Sequence, residues 1–322
     1  MHEFQRILVG VDLGVRGHSM SGVLSPPTAE AVARGTLLAE HHGAELTFAT
    51  VLDAEGMTER LIRDARTDDP NVFDEARALL GQIVQQAQQH GISANARVHV
   101  GRSWLKLLQD VLKERHDLVV IGTRHEGMVD RVIYGSTALK LLRQCPCPVW
   151  VARPSGGRPL SSVLVAHDLG PVGRKSLRMG VALAKSENLQ LHVVHGIEQL
   201  PIGDPTGFGL HMPEADLLHR QARERIQLDL EGTGLARSPE IRIMSGRPES
   251  SIVSLVNEKS IDLVVTGTMS RSGIRNMIIG NTAERLIRRL QCSLLVVKPD
   301  DFQCPVDVDD SQQAIQRPPQ RS

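Results

Sequence analysis

The chain predicts an α/β architecture of two tandem doubly wound domains, each a five-stranded parallel sheet, and three observations predict it. The sequence is written twice: DLVVIGT at 117–123 returns as DLVVTGT at 262–268, a shift of 145 residues. At the same shift Gly101 meets Gly246, Gly135 meets Gly280, Cys147 meets Cys292, and ELTFATVLD meets QLHVVHGIE. Within each copy, short apolar runs alternate with stretches of helical period, the pattern of parallel strands joined by helical crossovers. Finally, 322 residues with 41% hydrophobic and 23% charged content suit two ordinary globular domains.

The elements follow in order. RILVGVD is the first strand. Next comes GVRGHSMSGVLSPPT, residues 14–28, rich in glycine, serine and proline. The first strands of the two copies, RILVGVD and SVLVAHD, align at 156 instead of 145, so this stretch carries a net insertion of 11 residues. TAEAVARGTLLAEHHG reads as a helix with Thr28 as N-cap and Gly43 as C-cap. ELTFATVL is the second strand, and the following helix is apolar at 72, 76, 79, 80, 83, 84 and 87 and ends at Gly91. ARVHV, DLVVIG and PVWVA are the remaining strands, separated by the helices SWLKLLQDVLKERH and STALKLLRQC. The second copy repeats this with strands SVLVAHD, LQLHVVH, EIRIM, DLVVTG and SLLVVK. Its helices are SLRMGVALAKS, LLHRQARERIQLDL, ESSIVSLVNEKS and NTAERLIRRL. The expected domains are 1–153, with the insert at 14–28, and 162–299, joined by a linker at 154–161 and followed by a polar tail at 300–322.

Composition excludes several classes. Lysine plus arginine equals aspartate plus glutamate, 37 each, and aromatics are only 2%, so no basic stripe or stacking platform for nucleic acid is expected. No run is apolar enough for a membrane span, and MHEFQRILVGVD shows no leader pattern, so the expected location is the cytoplasm. The four cysteines form no CxxC pair, and Cys147 and Cys292 enter apolar strands as buried reduced thiols. The thirteen histidines are scattered; His192 and His195, three apart on a strand, face opposite sides, and no metal site is expected. His41 and His42 end a helix, where the dipole favours them. GxxxxGK[ST], GxGxxG after the first strand and G-x-S-x-G are all absent, and the first copy's third and fifth strands, RVHVGRS and PVWVARP, lack the aspartate and lysine of a phosphoacceptor domain. No catalytic residue is assigned.

Sheets of this kind bind ligands beyond the carboxyl ends of their strands, where the strand order reverses. The loops that matter follow Asp12 and Gly122 in the first copy, and Asp168 and Gly267 in the second. In GTRHEGMVDRVIYGST, residues 122–137, Gly122 and Gly135 could admit a phosphate close to backbone, while Ser136 and Thr137 could donate hydroxyls at a helix start. A plainer reading stands beside it: Ser136 as an N-cap, the glycines as turn residues, and Asp12 and Asp168 as caps of the backbone that follows.

The fourth strand, its glycine-spaced loop, the terminal GST at 135–137 or GNTAE at 280–284, and the C-P-V strand together resemble the universal stress protein family. The resemblance covers nearly the whole chain as two tandem domains, and the second copy is similar to bacterial E-type tandem members. It implies an adenine-nucleotide-hydrolase-like sheet of order 3-2-1-4-5 and pairing through fifth strands, here PVWVAR and SLLVVKP, as an intramolecular pseudo-dimer or a homodimer. It also implies a cytoplasmic stress-response regulatory protein. Some members bind ATP, with magnesium, through a G-x-x-G-(x)9-G-(S/T) loop, and others do not. Carried over by position, the first copy matches at Gly122, Gly135 and Ser136, but the middle glycine is His125. Asp12 falls on the nucleotide-contacting aspartate and Val51 on the residue that packs on adenine. In the second copy Gly267, Gly280 and Asp168 match, the middle glycine is Ser270, Asn281 with Thr282 takes the hydroxyl position, and Gly196 the adenine position. Both loops are therefore modified forms of the motif. Two other functions compete with nucleotide sensing: a slow ATP hydrolase, for which no positioned general base is evident, and an interaction module that binds no nucleotide.

Overall fold

The computed structural model describes residues 3–16, 19–20, 22–52, 72–123, 135–197, 212–268, 286 and 289–306, with backbone alone at 15–16, 19–20 and 212–215. The chain divides into two compact units. One is built mainly from residues 2–122 and 135–149, and the other mainly from 150–301.

The strands of the first copy are β1 (Arg6–Gly10), β4 (Glu45–Leu52), β5 (Ala94–Val100), β6 (Leu118–Gly122) and β7 (Val149–Ala152). Their order is β7-β6-β1-β4-β5, which in chain sequence is fifth, fourth, first, second, third. β1 runs parallel to β4 with Gly10 opposite Ala49, and parallel to β6 with Gly10 opposite Ile121. Ile7, Leu8, Val9, Leu118, Val119 and Val120 are wholly buried, as a sheet covered on both faces requires. Between β1 and β4, the glycine- and serine-rich insert forms a short antiparallel ladder, β2 (Val15–Arg16) with β3 (Ser19–Met20).

The helix α1 (Pro26–His42) begins earlier than expected. Its N-cap is Ser25, not Thr28, because Pro26 and Pro27 occupy the first helical positions, where a missing N–H costs nothing. Thr28 meets Ser25 side chain to side chain, Oγ to Oγ1 at 2.9 Å. Gly43 closes the helix in the left-handed region, φ 63°, as expected. The helix α2 (Val72–Gln89) buries Val72, Ala76, Leu80, Ile83 and Ala87, most of the predicted apolar face. Next come α3 (Ser103–Glu114) and α4 (Ser136–Gln144).

The second copy repeats the plan with β8 (Ser162–Ala166), β9 (Gln190–Ile197), β10 (Glu240–Ser245), β11 (Leu263–Gly267) and β12 (Ser293–Val297), in the order β10-β9-β8-β11-β12, neighbours parallel. Its helices are α5 (Pro171–Ser186), α6 (Met212–Leu230) and α7 (Pro248–Lys259). α5 starts five residues before the predicted SLRMGVALAKS, because Pro171 follows the cap residue Gly170 and opens the helix. The predicted helix NTAERLIRRL falls largely outside the described residues.

The duplication extends to a hidden device at the amino end of each sheet. Asp117, just before β6, accepts the N–H groups of Gln5 and Arg6 at 2.7 and 3.1 Å and so fastens the start of β1. Asp262, its counterpart 145 residues on, accepts from Ser161 and Ser162 at the start of β8, taking both N–H groups and both hydroxyls on Oδ2. Cys145, Cys147 and Cys292 are buried free thiols. Among the described residues no helix is long and apolar enough to cross a membrane.

Candidate functional site

The register brings the first copy's candidate residues to one edge. Beyond β1, the N–H of Val11 still bonds Ala49 O at 2.8 Å, so Asp12 is the first residue clear of the sheet. It is exposed, and its Oδ1 accepts the Gly14 N–H at 3.0 Å, an Asx turn that fixes the carboxylate while leaving its second oxygen without a partner among the described residues. Val51 lies two residues past Ala49 on β4, half-buried, and Gly122 ends β6 one residue past Ile121. α4 then opens at this carboxyl edge. Gly135 is its N-cap, extended at φ −60° and ψ 159°, and among the described residues no side chain caps the helix. Ser136, exposed, and Thr137, half-buried, occupy the first turn, where N–H groups lack helical partners and the dipole favours an anion.

Gly122 has a reason the sequence did not disclose. A Cβ there would stand 2.5 Å from the Pro27 carbonyl oxygen, so the glycine lets the first turn of α1 approach the end of β6. Gly267 does the same for α5, whose Val172 Cγ1 would lie 2.3 Å from such a Cβ. Both glycines serve helix packing, and Gly122, which ends β6, is not the turn residue of the plainer reading. His125, Arg124, Arg131 and Ser270 lie outside the described residues.

In the second copy, Asp168 accepts the N–H groups of Gly170 and Gly173 on one oxygen, at 2.8 and 3.0 Å, and so holds the start of α5. The adenine position fares differently: a Cβ on Gly196 would meet Pro248 Cα at 2.9 Å, so α7 rests on the strand where a platform side chain would stand. Gly280, Asn281 and Thr282 lie outside the described residues.

Two polar clusters escaped the sequence reading. Beside Val51, and in register with it across β4 and β5, His99 contacts the buried Asp110 of α3, Nε2 to Oδ2 at 2.5 Å. Arg97 reaches Asp110 at 3.4 Å and Glu114 at 3.0 Å, and this guanidinium holds the Glu114 carboxyl below its ordinary range. The signal was present as Arg97-x-His99 alternation on a strand opposite one acid in an otherwise apolar helix face. In the second copy His167 stands where the first has Val11. Its Nδ1 accepts the Leu169 N–H at 2.9 Å, which leaves the proton on Nε2, facing Asp229 Oδ2 at 3.4 Å. His195 donates from Nδ1 to the His167 carbonyl at 2.7 Å. Burial lowers the pKa of His167, so the ring is held neutral. Among the described residues no group of three histidine, cysteine or acidic side chains could hold a metal.

The fold defines a tandem α/β protein of two doubly wound domains, and comparison with known proteins agrees. The sequence model of the universal stress protein family matches residues 3–153 and again 160–298. The chain therefore belongs to the universal stress protein family. It is similar to universal stress protein E of Salmonella typhi, 29% identical over 302 residues, covering 87% of this chain and 93% of that protein. The Escherichia coli K12 protein of the same name is 29% identical over 300 residues, covering 88% and 93%. In fold it resembles the crystal structure of a universal stress protein from Archaeoglobus fulgidus, TM-score 0.62 at 19% identity, covering 91% of this chain and 98% of that one. A Pseudomonas aeruginosa protein described as functionally unknown gives a TM-score of 0.68 at 19% identity, covering 92% and 94%.

Proposed function

We propose that this stress protein acts in the cytoplasm as a regulatory binder of an adenine nucleotide, and that the first copy holds it. The observation that carries the reading is the pairing, at one sheet edge, of an exposed carboxylate fixed by its own Asx turn with a helix start that no side chain caps among the described residues. Asp12 would accept the ribose hydroxyls, Val51 would lie against the base, and the N–H groups and hydroxyls of Ser136 and Thr137 would take phosphate oxygens. These residues suit a nucleotide; magnesium, when bound, would reduce repulsion among the phosphates themselves. The second copy fits less well, because Asp168 is engaged as a helix cap and Pro248 rests on Gly196.

Isothermal titration of the whole protein with ATP, with and without magnesium, tests this. Asp12→Ala should weaken binding at least about tenfold, the loss of a charge-assisted hydrogen bond. Asp168→Ala should leave affinity unchanged and lower stability by about 1 kcal/mol, the value of a helix cap. Equal affinity in wild type and Asp12→Ala contradicts the assignment.

A further inference from the structure

The second unit carries a cleft at the amino end of its sheet, the end opposite to the loops after Asp168 and Gly267. It holds about 380 Å³, and its lining falls within residues 150–301. Arg153 and Arg158 come from the stretch between β7 and β8, Asn257 and Ser260 from the end of α7, and Gln291 and Ser293 from the approach to β12.

Arg153 is the informative residue. It is half-buried in the lining; its backbone N–H donates to Ser293 Oγ at 3.1 Å, and among the described residues its guanidinium makes no ion pair. A half-buried guanidinium without a counter-ion is costly, and such groups in native proteins call for a partner. The carboxylate in the lining, Asp262, does not supply it: its Oδ2 is engaged by the N–H and O–H groups of Ser161 and Ser162. Arg158 adds a second positive charge at the rim. The turn at Gly156 and Gly157, φ 68° and 81°, folds the chain back so that Arg158 Nε donates to Ser155 O at 3.2 Å. The carboxyl end of α7 also borders the cleft, and its partial negative charge is what the two guanidinium groups must outweigh. Beneath them, burial pushes the Cys292 thiol up to about 12, so it stays neutral at physiological pH.

Two guanidinium groups against one engaged carboxylate, ringed by hydroxyl and amide donors, suit a tetrahedral oxyanion, which offers several acceptor oxygens to a forked donor. The volume is that of a small-metabolite pocket. We propose that this cleft binds a small phosphate-bearing anion, with Arg153 as its principal ligand and Arg158 at the rim. This proposal does not depend on the nucleotide reading, because it concerns the other end of the other copy's sheet.

The test is NMR and calorimetric titration of the full chain with inorganic phosphate and with glycerol 3-phosphate as a small phosphomonoester. Amide shifts are expected at 153–160, 257–262 and 291–293, with binding weakened at least tenfold by Arg153→Met and less by Arg153→Lys. Shifts at 153–160 and 291–293, with none at 135–138, separate this site from the nucleotide site. Tighter binding of the ester would assign the site to a phosphorylated metabolite, and equal binding to free phosphate; both support an anion site. Absence of shifts in the wild type, shifts confined to 135–138, or unchanged affinity in a folded Arg153→Met would overturn it.

Discussion

At the scale of single residues, Gly122 shows how one position can satisfy two demands. The motif resemblance explains it by phosphate approach, while the structure adds the Pro27 carbonyl within 2.5 Å of any Cβ. Gly122→Val should therefore destabilise the protein by about 1–3 kcal/mol, the cost of overpacking, as read by urea denaturation without ligand. Unchanged stability would return the glycine to a purely ligand-facing role. Asp12 and Asp168 occupy matching positions in sequence yet differ in use. One oxygen of Asp12 serves a local turn, whereas Asp168 serves the helix that follows. The sequence left that choice open for both, because an aspartate after a strand reads the same whether it caps or recognises. What separates them is the path to the next helix: α5 begins at Pro171, directly after Asp168 and its turn, whereas the insert stands between Asp12 and Pro26.

At the scale of elements, the strands and most helices were legible because period and repeat agreed. The helix starts were less so: Pro-Pro at 26–27 and Pro171 moved them earlier, a rule that acts at N1 and leaves no trace in apolar periodicity. The polar ties between elements were not legible at all, since they join residues far apart in sequence. Asp262 is the clearest, fastening β8 through four hydrogen bonds to one carboxylate oxygen. Asp262→Ala should cost about 2 kcal/mol in chemical denaturation, with Asp117→Ala costing less because it holds only two N–H groups. A loss below about 0.5 kcal/mol at Asp262 would show that the Ser161 and Ser162 donors find water instead. The His99–Asp110–Arg97 cluster was hidden for the same reason, although it neighbours Val51 in register.

At the scale of the whole molecule, duplication is the fact most fully legible in sequence, and the structure returns it in both strand orders. What the repeat concealed is divergence. The second copy replaces Val11 and Thr50 with the buried His167 and His195, and packs Pro248 against Gly196, where the first copy has Val51. Burial also sets the response to acid. Desolvation lowers the pKa of His116, His167 and His192 below the ordinary 6.5, against partial compensation from Asp110, Asp229 and Glu240 respectively. Each is neutral in the folded chain where the unfolded chain would be protonated. The unfolded state therefore binds more protons as pH falls from about 6.5 toward the lowered folded values, and stability falls with it. Thermal midpoints measured between pH 7.5 and 5.5 should decline, and replacing His167 with Gln should flatten the slope. A midpoint that holds or rises would show that these rings are charged in the fold.

The central claim is that the carboxyl edge of the first copy holds an adenine nucleotide despite its modified loop. The most direct measurement is to denature freshly purified protein and quantify the released small molecules by mass spectrometry, for wild type and for Asp12→Ala. Close to one adenine nucleotide per chain from the wild type, and little from Asp12→Ala, is the expected result. A wild-type protein that releases none, and takes up none when supplied with ATP and magnesium, would contradict it.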